Sequence, residues 1–206
     1  MTAAVTGHPR FLSEGGFTAA YLHSLPEDGL RRELIDGSVV VSPSATYSHN
    51  IIARWIANVL EEANPGTELV VSTDQSATVD DNNEPRPDIV VGRAEFLEET
   101  PCPIGSLLLA GEVVSPGSVL RDTETKRALY ARAGVPSYWI VVPDRDAATI
   151  ALAELVLDGQ TRTYRYATHY TTGVFRTERP WPVKVDLPAL AARMARYRQR
   201  DVRGTR

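Results

Sequence analysis

Leu107-Leu108-Leu109-Ala110-Gly111-Glu112-Val113-Val114 is an apolar run carrying a single carboxylate. A helix-like stretch from Arg121 to Ala133 follows, and then a second apolar run, Ser137-Tyr138-Trp139-Ile140-Val141-Val142. Short continuous runs of this kind read as strands covered on both faces. Gly134 in the cap position, with Pro136 two residues on, marks the end of the helix, and Pro143-Asp144 closes the second run. A strand, a helix and a strand in that span imply a parallel crossover and therefore an α/β core of the mixed α+β kind.

Working outward, Asp88-Ile89-Val90-Val91 is another short apolar strand, and Leu69-Val70-Val71 and Ser76-Ala77-Thr78-Val79 precede it. Asp80 to Glu84 reads as a polar hairpin tip. Ile52, Ile56, Val59, Leu60 and Ala63 recur at three- and four-residue steps, so His49 to Ala63 is a helix, stopped by Asn64-Pro65-Gly66. Asp36-Gly37 between Arg31-Arg32-Glu33-Leu34-Ile35 and Ser38-Val39-Val40-Val41 signals a hairpin that Ser42-Pro43 ends. A first helix is expected over Thr18 to Ser24, a second hairpin over Ala147 to Leu157 and Thr161 to Tyr166 around Asp158-Gly159, and a last helix over Pro188 to Arg200. There is no internal repeat.

With 206 residues, 43% of them apolar and 23% charged, the chain suits one soluble globular domain. Its net charge of −4 argues against coating nucleic acid by bulk positive charge. That sum hides an asymmetry, because Arg193 to Arg206 carries +5 and the preceding residues −9. Cys102 is the only cysteine, which excludes an internal disulfide and a cysteine-based zinc cluster. Nothing resembles a signal peptide or a membrane span, so a cytoplasmic location is expected.

Glu112 faces a large desolvation penalty inside its run unless it is paired, bound to a cation or at an open strand end. Asp88 opens an apolar strand directly after Arg86-Pro87. Lys126 shares a helical stripe with Leu129, Tyr130 and Ala133, which points it toward the sheet. It is also one of two lysines, with Lys184, in a chain that otherwise uses 20 arginines. A lysine offers a compact ammonium with chemical uses that a guanidinium lacks. Two carboxylates and an inward lysine suit cleavage of phosphodiesters with a divalent metal, since Mg²⁺ takes one or two carboxylates and keeps several waters. The same residues also suit a structural role, with Asp88 capping a turn and Glu112 in a buried pair with Lys126, and spacing alone leaves both open.

Taken in order, Glu33-Leu34-Ile35-Asp36-Gly37, Ser42-Pro43-Ser44, His49, Pro87-Asp88-Ile89-Val90-Val91, Gly111-Glu112-Val113-Val114-Ser115-Pro116, Lys126, Tyr130-Ala131-Arg132-Ala133-Gly134-Val135-Pro136 and Tyr138-Trp139-Ile140-Val141 resemble the Uma-two family. Those are restriction-endonuclease-like proteins of the PD-(D/E)XK nuclease superfamily. The resemblance covers about residues 14 to 187, expected as one domain between an N-terminal segment (1–13) and a basic C-terminal helix or tail (188–206). It implies a restriction-endonuclease-like core, a central mixed β-sheet flanked by helices, with an N-terminal hairpin and a C-terminal helix. It implies Mg²⁺, with Mn²⁺ as a substitute, bound by Asp88, Glu112 and the carbonyl of Val113. The superfamily's lysine lies two residues after the second acid, where this chain has Val114; in the resembled family it comes from the next helix, which fits Lys126. Glu33, as an extra acid near the metal, rests on the resemblance alone.

Other signals are weaker. Asp80 to Glu84 lacks the glycine and terminal Glu of a calcium loop. Asp144 and Asp146 read as a loop acid pair, and Ser115 lacks a nucleophile-elbow setting. His8, His23, His49 and His169 show no zinc spacing, but His49 begins a helix whose first turn can face an anionic substrate. In the last helix Leu190, Met194 and Tyr197 form one stripe and Arg193, Arg196 and Arg200 another, the second suited either to phosphates or to solvent. The expected function is Mg²⁺-dependent endonuclease hydrolysis of DNA through a metal-activated water. The alternative is a nuclease-fold nucleic-acid-binding or assembly module without turnover. A homodimer is expected from base rates and from the aromatic residues Tyr164, Tyr166, Tyr170 and Trp181.

Overall fold

The run around Glu112 becomes a strand in the middle of a six-stranded sheet. The computed structural model describes residues 12–42 and 44–201; the N-terminal segment through residue 11, Pro43 and the end of the basic tail from residue 202 lie outside the described residues. In chain order the elements are β1 (Leu12–Ser13), β2 (Gly16–Phe17), α1 (Ala19–Ser24), β3 (Arg31–Ile35), β4 (Ser38–Ser42), α2 (Tyr47–Glu62), β5 (Leu69–Thr73), β6 (Ala77–Thr78), β7 (Ile89–Arg93), β8 (Cys102–Pro103) and β9 (Leu107–Val113). After β9 come a π-helical turn (Arg121–Thr125), α3 (Lys126–Ala133), β10 (Ser137–Asp144), β11 (Thr149–Asp158), β12 (Thr163–Thr171), β13 (Val174–Thr177), β14 (Val183–Asp186) and α4 (Leu187–Asp201).

The main sheet runs β12-β11-β10-β9-β7-β5. Only the β9–β10 pair is parallel, joined by the crossover through α3, and the other neighbours are antiparallel, so the sheet is mixed as expected. Strand alternation then sorts the core into two layers. Ile89, Val91, Leu109, Val113, Trp139 and Val141 face α2, α4 and the β13–β14 hairpin. Val90, Ala110, Val114, Tyr138 and Ile140 face α3 and Tyr164 of β12.

The local signals are realised closely. Thr18 caps α1, and the Thr46 hydroxyl accepts from the His49 N–H to cap α2. Gly134 ends α3 at φ 91°, with its own N–H and that of Val135 both donating to the Tyr130 carbonyl. The stretch expected as one helix from Arg121 differs at its start, where the turn is π-helical. The Tyr138 hydroxyl donates to the Asp122 carbonyl at 2.6 Å, and the Lys126 N–H bonds Arg121 instead. The β13–β14 hairpin was not expected. Tyr164 and Trp181, expected as interface aromatics, are buried in the core of the single chain, whereas Tyr170 is exposed. The last helix starts one residue earlier than expected, with Asp186 accepting from Ala189 N–H, and packs Leu187, Leu190 and Met194 into the core beside α2. No helix among the described residues is long and apolar enough to cross a membrane.

Asp36 and Gly37 have φ 44° and 70°, the two positive angles of a type I′ turn. That turn sets the register of β3, which carries Glu33. A Cβ at Gly37 would lie 1.7 Å from the Gly15 carbonyl oxygen. Gly37→Ala is therefore expected to destabilise the protein by about 2 kcal/mol or more, read as a lower urea midpoint at unchanged slope.

Candidate active site

The antiparallel register of β7 and β9 places Ile89 opposite Gly111. One residue further along the same register, Asp88 stands opposite Glu112. Glu112 shares the parity of Ala110 and projects toward the α3 face, where Lys126 and Tyr130 meet it, whereas Asp88 is met from β3 and α2. Gly111 permits the close approach, since a Cβ there would already sit 3.3 Å from that of Ile89. The carboxylates are thus side by side in a buried strand pair, where like charges opposite one another repel.

Each has its own counterions. The Asp88 carboxylate accepts from the Val113 N–H at 2.8 Å and from Arg31 at 3.0 Å, and His49 Nε2 lies 3.1 Å away. Glu112 Oε1 accepts from Lys126 Nζ and from the Tyr130 hydroxyl, both at 2.9 Å. Lys126 Nζ also contacts Glu33 Oε1 at 2.6 Å, and that oxygen accepts from the Arg86 N–H at 2.7 Å. The site residues expected from sequence, Asp88, Glu112, Lys126 and Glu33, are therefore brought to one place, with Val113 contributing its N–H to Asp88. They line a cleft of about 730 Å³ that His49 and Asp122 share.

The electrostatics follow from burial. Desolvation alone would push Asp88 up, but His49, Arg31 and the Val113 N–H override it and hold the carboxyl down at about 2. Desolvation raises Glu112 well above its ordinary value, and the carboxylates of Asp88, Asp122 and Glu33 add to the rise while Lys126 opposes it. Burial would lower Lys126, yet Glu112 and Glu33 raise it above its ordinary value, which favours the ammonium form. Burial keeps the Tyr130 hydroxyl protonated and donating.

Three participants lay beyond the sequence reading or at its margin. Arg31 opens β3 and also bonds the Arg86 carbonyl and Asp74. Asp122 is buried one π turn before Lys126, and burial raises its pKa; the four-residue spacing from Lys126 was its available signal. His49, read from sequence as opening a helix whose first turn can face an anionic substrate, is a direct partner of Asp88.

Asp88 and Glu112 offer the hard oxygen donors that Mg²⁺ prefers, so the donor set fits that ion in kind. Among the described residues no three His, Cys, Asp or Glu side chains converge as a ready cation cage. A bound ion would therefore rest on two carboxylates, main-chain oxygen and water, with Asp88 exchanging part of its contact with Arg31 and His49.

A cleft at the strand ends of a mixed sheet, with paired acids and a lysine, is the arrangement of a nuclease-like fold. A model for the Uma2 family, described as "Putative restriction endonuclease", matches residues 19–192, and the chain belongs to that family. The fold is similar to the crystal structure of "a putative nuclease belonging to DUF820 from Anabaena variabilis", with 16% identity over 86% of this chain and 92% of that one and a TM-score of 0.58. No curated protein matches.

Lys126→Ala strands two buried carboxylates and is expected to lower stability by about 3 kcal/mol or more, with part of the loss recovered on adding Glu33→Gln, both read by urea denaturation. The His49–Asp88 pair has a pH signature. Burial lowers the His49 pKa but Asp88 raises it above 6.5, so its contribution is complete below that value and fades as pH rises through the folded pKa. The depressed Asp88 contributes above 3.8 and loses its effect as pH falls toward 2. The destabilisation caused by His49→Ala is expected to be largest between 3.8 and 6.5 and to shrink as pH rises above that range, measured as midpoint differences across pH.

Proposed function

We propose that the protein is a Mg²⁺-dependent endonuclease that hydrolyses phosphodiester bonds of nucleic acid, DNA foremost, in the cleft around Asp88 and Glu112. The observation that carries this reading is the cross-strand placement of those two carboxylates beside the buried Lys126 ammonium. Asp88, Glu112 and the Val113 carbonyl would hold the ion. When bound, Mg²⁺ supplies Lewis-acid polarisation of the phosphate and acidifies a coordinated water.

The chain's own groups then have distinct tasks. Lys126 keeps its charge and faces the region where negative charge grows on the phosphate, stabilising it without reorganisation. Glu33 and Tyr130 orient Lys126 and Glu112, so neither has to be fixed when substrate arrives. Arg31 and His49 neutralise Asp88 and give an approaching phosphate a positive wall on the α2 side.

Purified protein is expected to cut plasmid or linear DNA with Mg²⁺ or Mn²⁺. Asp88→Asn and Glu112→Gln are expected to lose at least about a hundredfold in rate and to lose the calorimetric heat of Mn²⁺ binding. Intact DNA and RNA under both metals, with no Mn²⁺ heat on the wild type, would overturn the enzyme reading in favour of a module without turnover.

A further inference from the structure

We propose that Arg145 and Arg198, with Arg121 nearer the carboxylates, form a phosphate-gripping wall that holds the nucleic-acid backbone to one side of the reacting phosphodiester. The proposal rests on the nuclease reading and adds the residues that bind the substrate outside the chemical centre.

The cleft that contains Asp88, Glu112 and Lys126 is also lined by Arg121, Arg145 and Arg198, from the π-helical turn, the β10–β11 connection and α4 respectively. With Arg31 of β3, four arginines from four separate elements face one cavity. Glu112 is level with Ile140 across the parallel β9–β10 pair. Arg145 lies five residues beyond Ile140, roughly 16 Å along at about 3.3 Å per residue. At about 3.4 Å of duplex axis per nucleotide, that is a reach of a few nucleotides from the reacting centre.

Asp144 and Asp146 line the same stretch of the cleft, but among the described residues neither is ion-paired with Arg145 or Arg198. Arg198 Nη1 donates to the Arg145 carbonyl at 3.2 Å, which holds the two side by side. Asp144, the acid next to Arg145, keeps its charge but has Oδ1 turned onto the N–H groups of Asp146 and Ala147 at 2.9 Å each. Arg121 Nε is buried with no hydrogen-bond partner, and the nearest carboxylate oxygen, on Asp122, is 3.8 Å away. Arg193, in contrast, donates to the Tyr197 hydroxyl on the same helix, and neither it nor Arg196 lines the cleft. Guanidinium groups suit phosphate oxygens because they donate in a planar fork and stay charged at every working pH.

The test is fluorescence anisotropy of the full chain with short DNA and RNA duplexes in chelator, at several salt concentrations. Phosphodiester backbone is common to both duplexes, and the two arms show which the wall serves. Arg145→Ala with Arg198→Ala is expected to weaken binding about tenfold and to flatten the salt slope by about 1.8 for DNA, two phosphate contacts' worth. Arg193→Ala with Arg196→Ala is expected to stay within about twofold of wild type, and Arg145→Lys with Arg198→Lys to recover most of the slope. Unchanged binding in the Arg145/Arg198 alanine pair overturns the proposal. An equal loss in the Arg193/Arg196 pair, or no recovery with lysines, also overturns it, because the cause would then be bulk tail charge or lost structure. Wild-type protein that binds neither duplex overturns the nuclease reading together with this one.

Discussion

Two buried carboxylates facing each other across β7 and β9 are the constraint around which this molecule is assembled. At about 5 Å and an effective dielectric near 20, two ionised carboxylates would repel by roughly 3 kcal/mol, and Asp88 accordingly adds to the rise in the Glu112 pKa. The repulsion is answered by separate sets of partners on separate elements. Arg31 of β3 and His49 of α2 reach Asp88, whereas Lys126 and Tyr130 of α3 reach Glu112. Glu33 of β3 then closes a second contact onto Lys126. The β3–β4 hairpin belongs to its own two-stranded sheet, yet it supplies a cation to one acid and an anion to the other's lysine. Its attachment to the main body is consequently electrostatic, and its Leu34 also exchanges backbone hydrogen bonds with Glu84.

Much of this was legible because burial and charge conflict visibly in a sequence. A Glu inside an apolar strand and a Lys on an apolar helical stripe are costly unless they meet, and they do, at 2.9 Å. The Asp36-Gly37 turn and the Gly134 cap were equally readable, since each depends on a local backbone angle rather than on distant packing. Arg31 was not readable, because at the start of a hairpin, next to Arg32, it looks like a solvated pair. Asp122 was hidden for a similar reason, as an acid in the first turn of a helix is the ordinary dipole arrangement. The β13–β14 hairpin did have a signal, the alternation of Val174-Phe175-Arg176-Thr177 with Val183-Lys184-Val185-Asp186, and its inward residues Phe175, Val183 and Val185 join the core. The aromatics Tyr164 and Trp181 misled because residue type alone cannot separate an interface from a core.

The position of the lysine has a structural explanation. Val114, where the superfamily's lysine would stand, packs with Tyr130 and Ile140 in the layer beneath α3. A lysine there would displace core volume. Placing Lys126 on the helix instead leaves that layer apolar and brings Nζ to 2.9 Å from Glu112. It also makes the lysine's placement depend on how the helix begins. The Tyr138 hydroxyl takes the Asp122 carbonyl, the Lys126 N–H shifts to Arg121, and the widened turn puts Asp122 and Lys126 together in the cleft. Tyr138 lies on β10, the strand paired in parallel with that of Glu112. The sheet therefore holds the carboxylate directly and, through Tyr138, shapes the turn from which Lys126 starts, while Glu112 and Glu33 hold the ammonium itself.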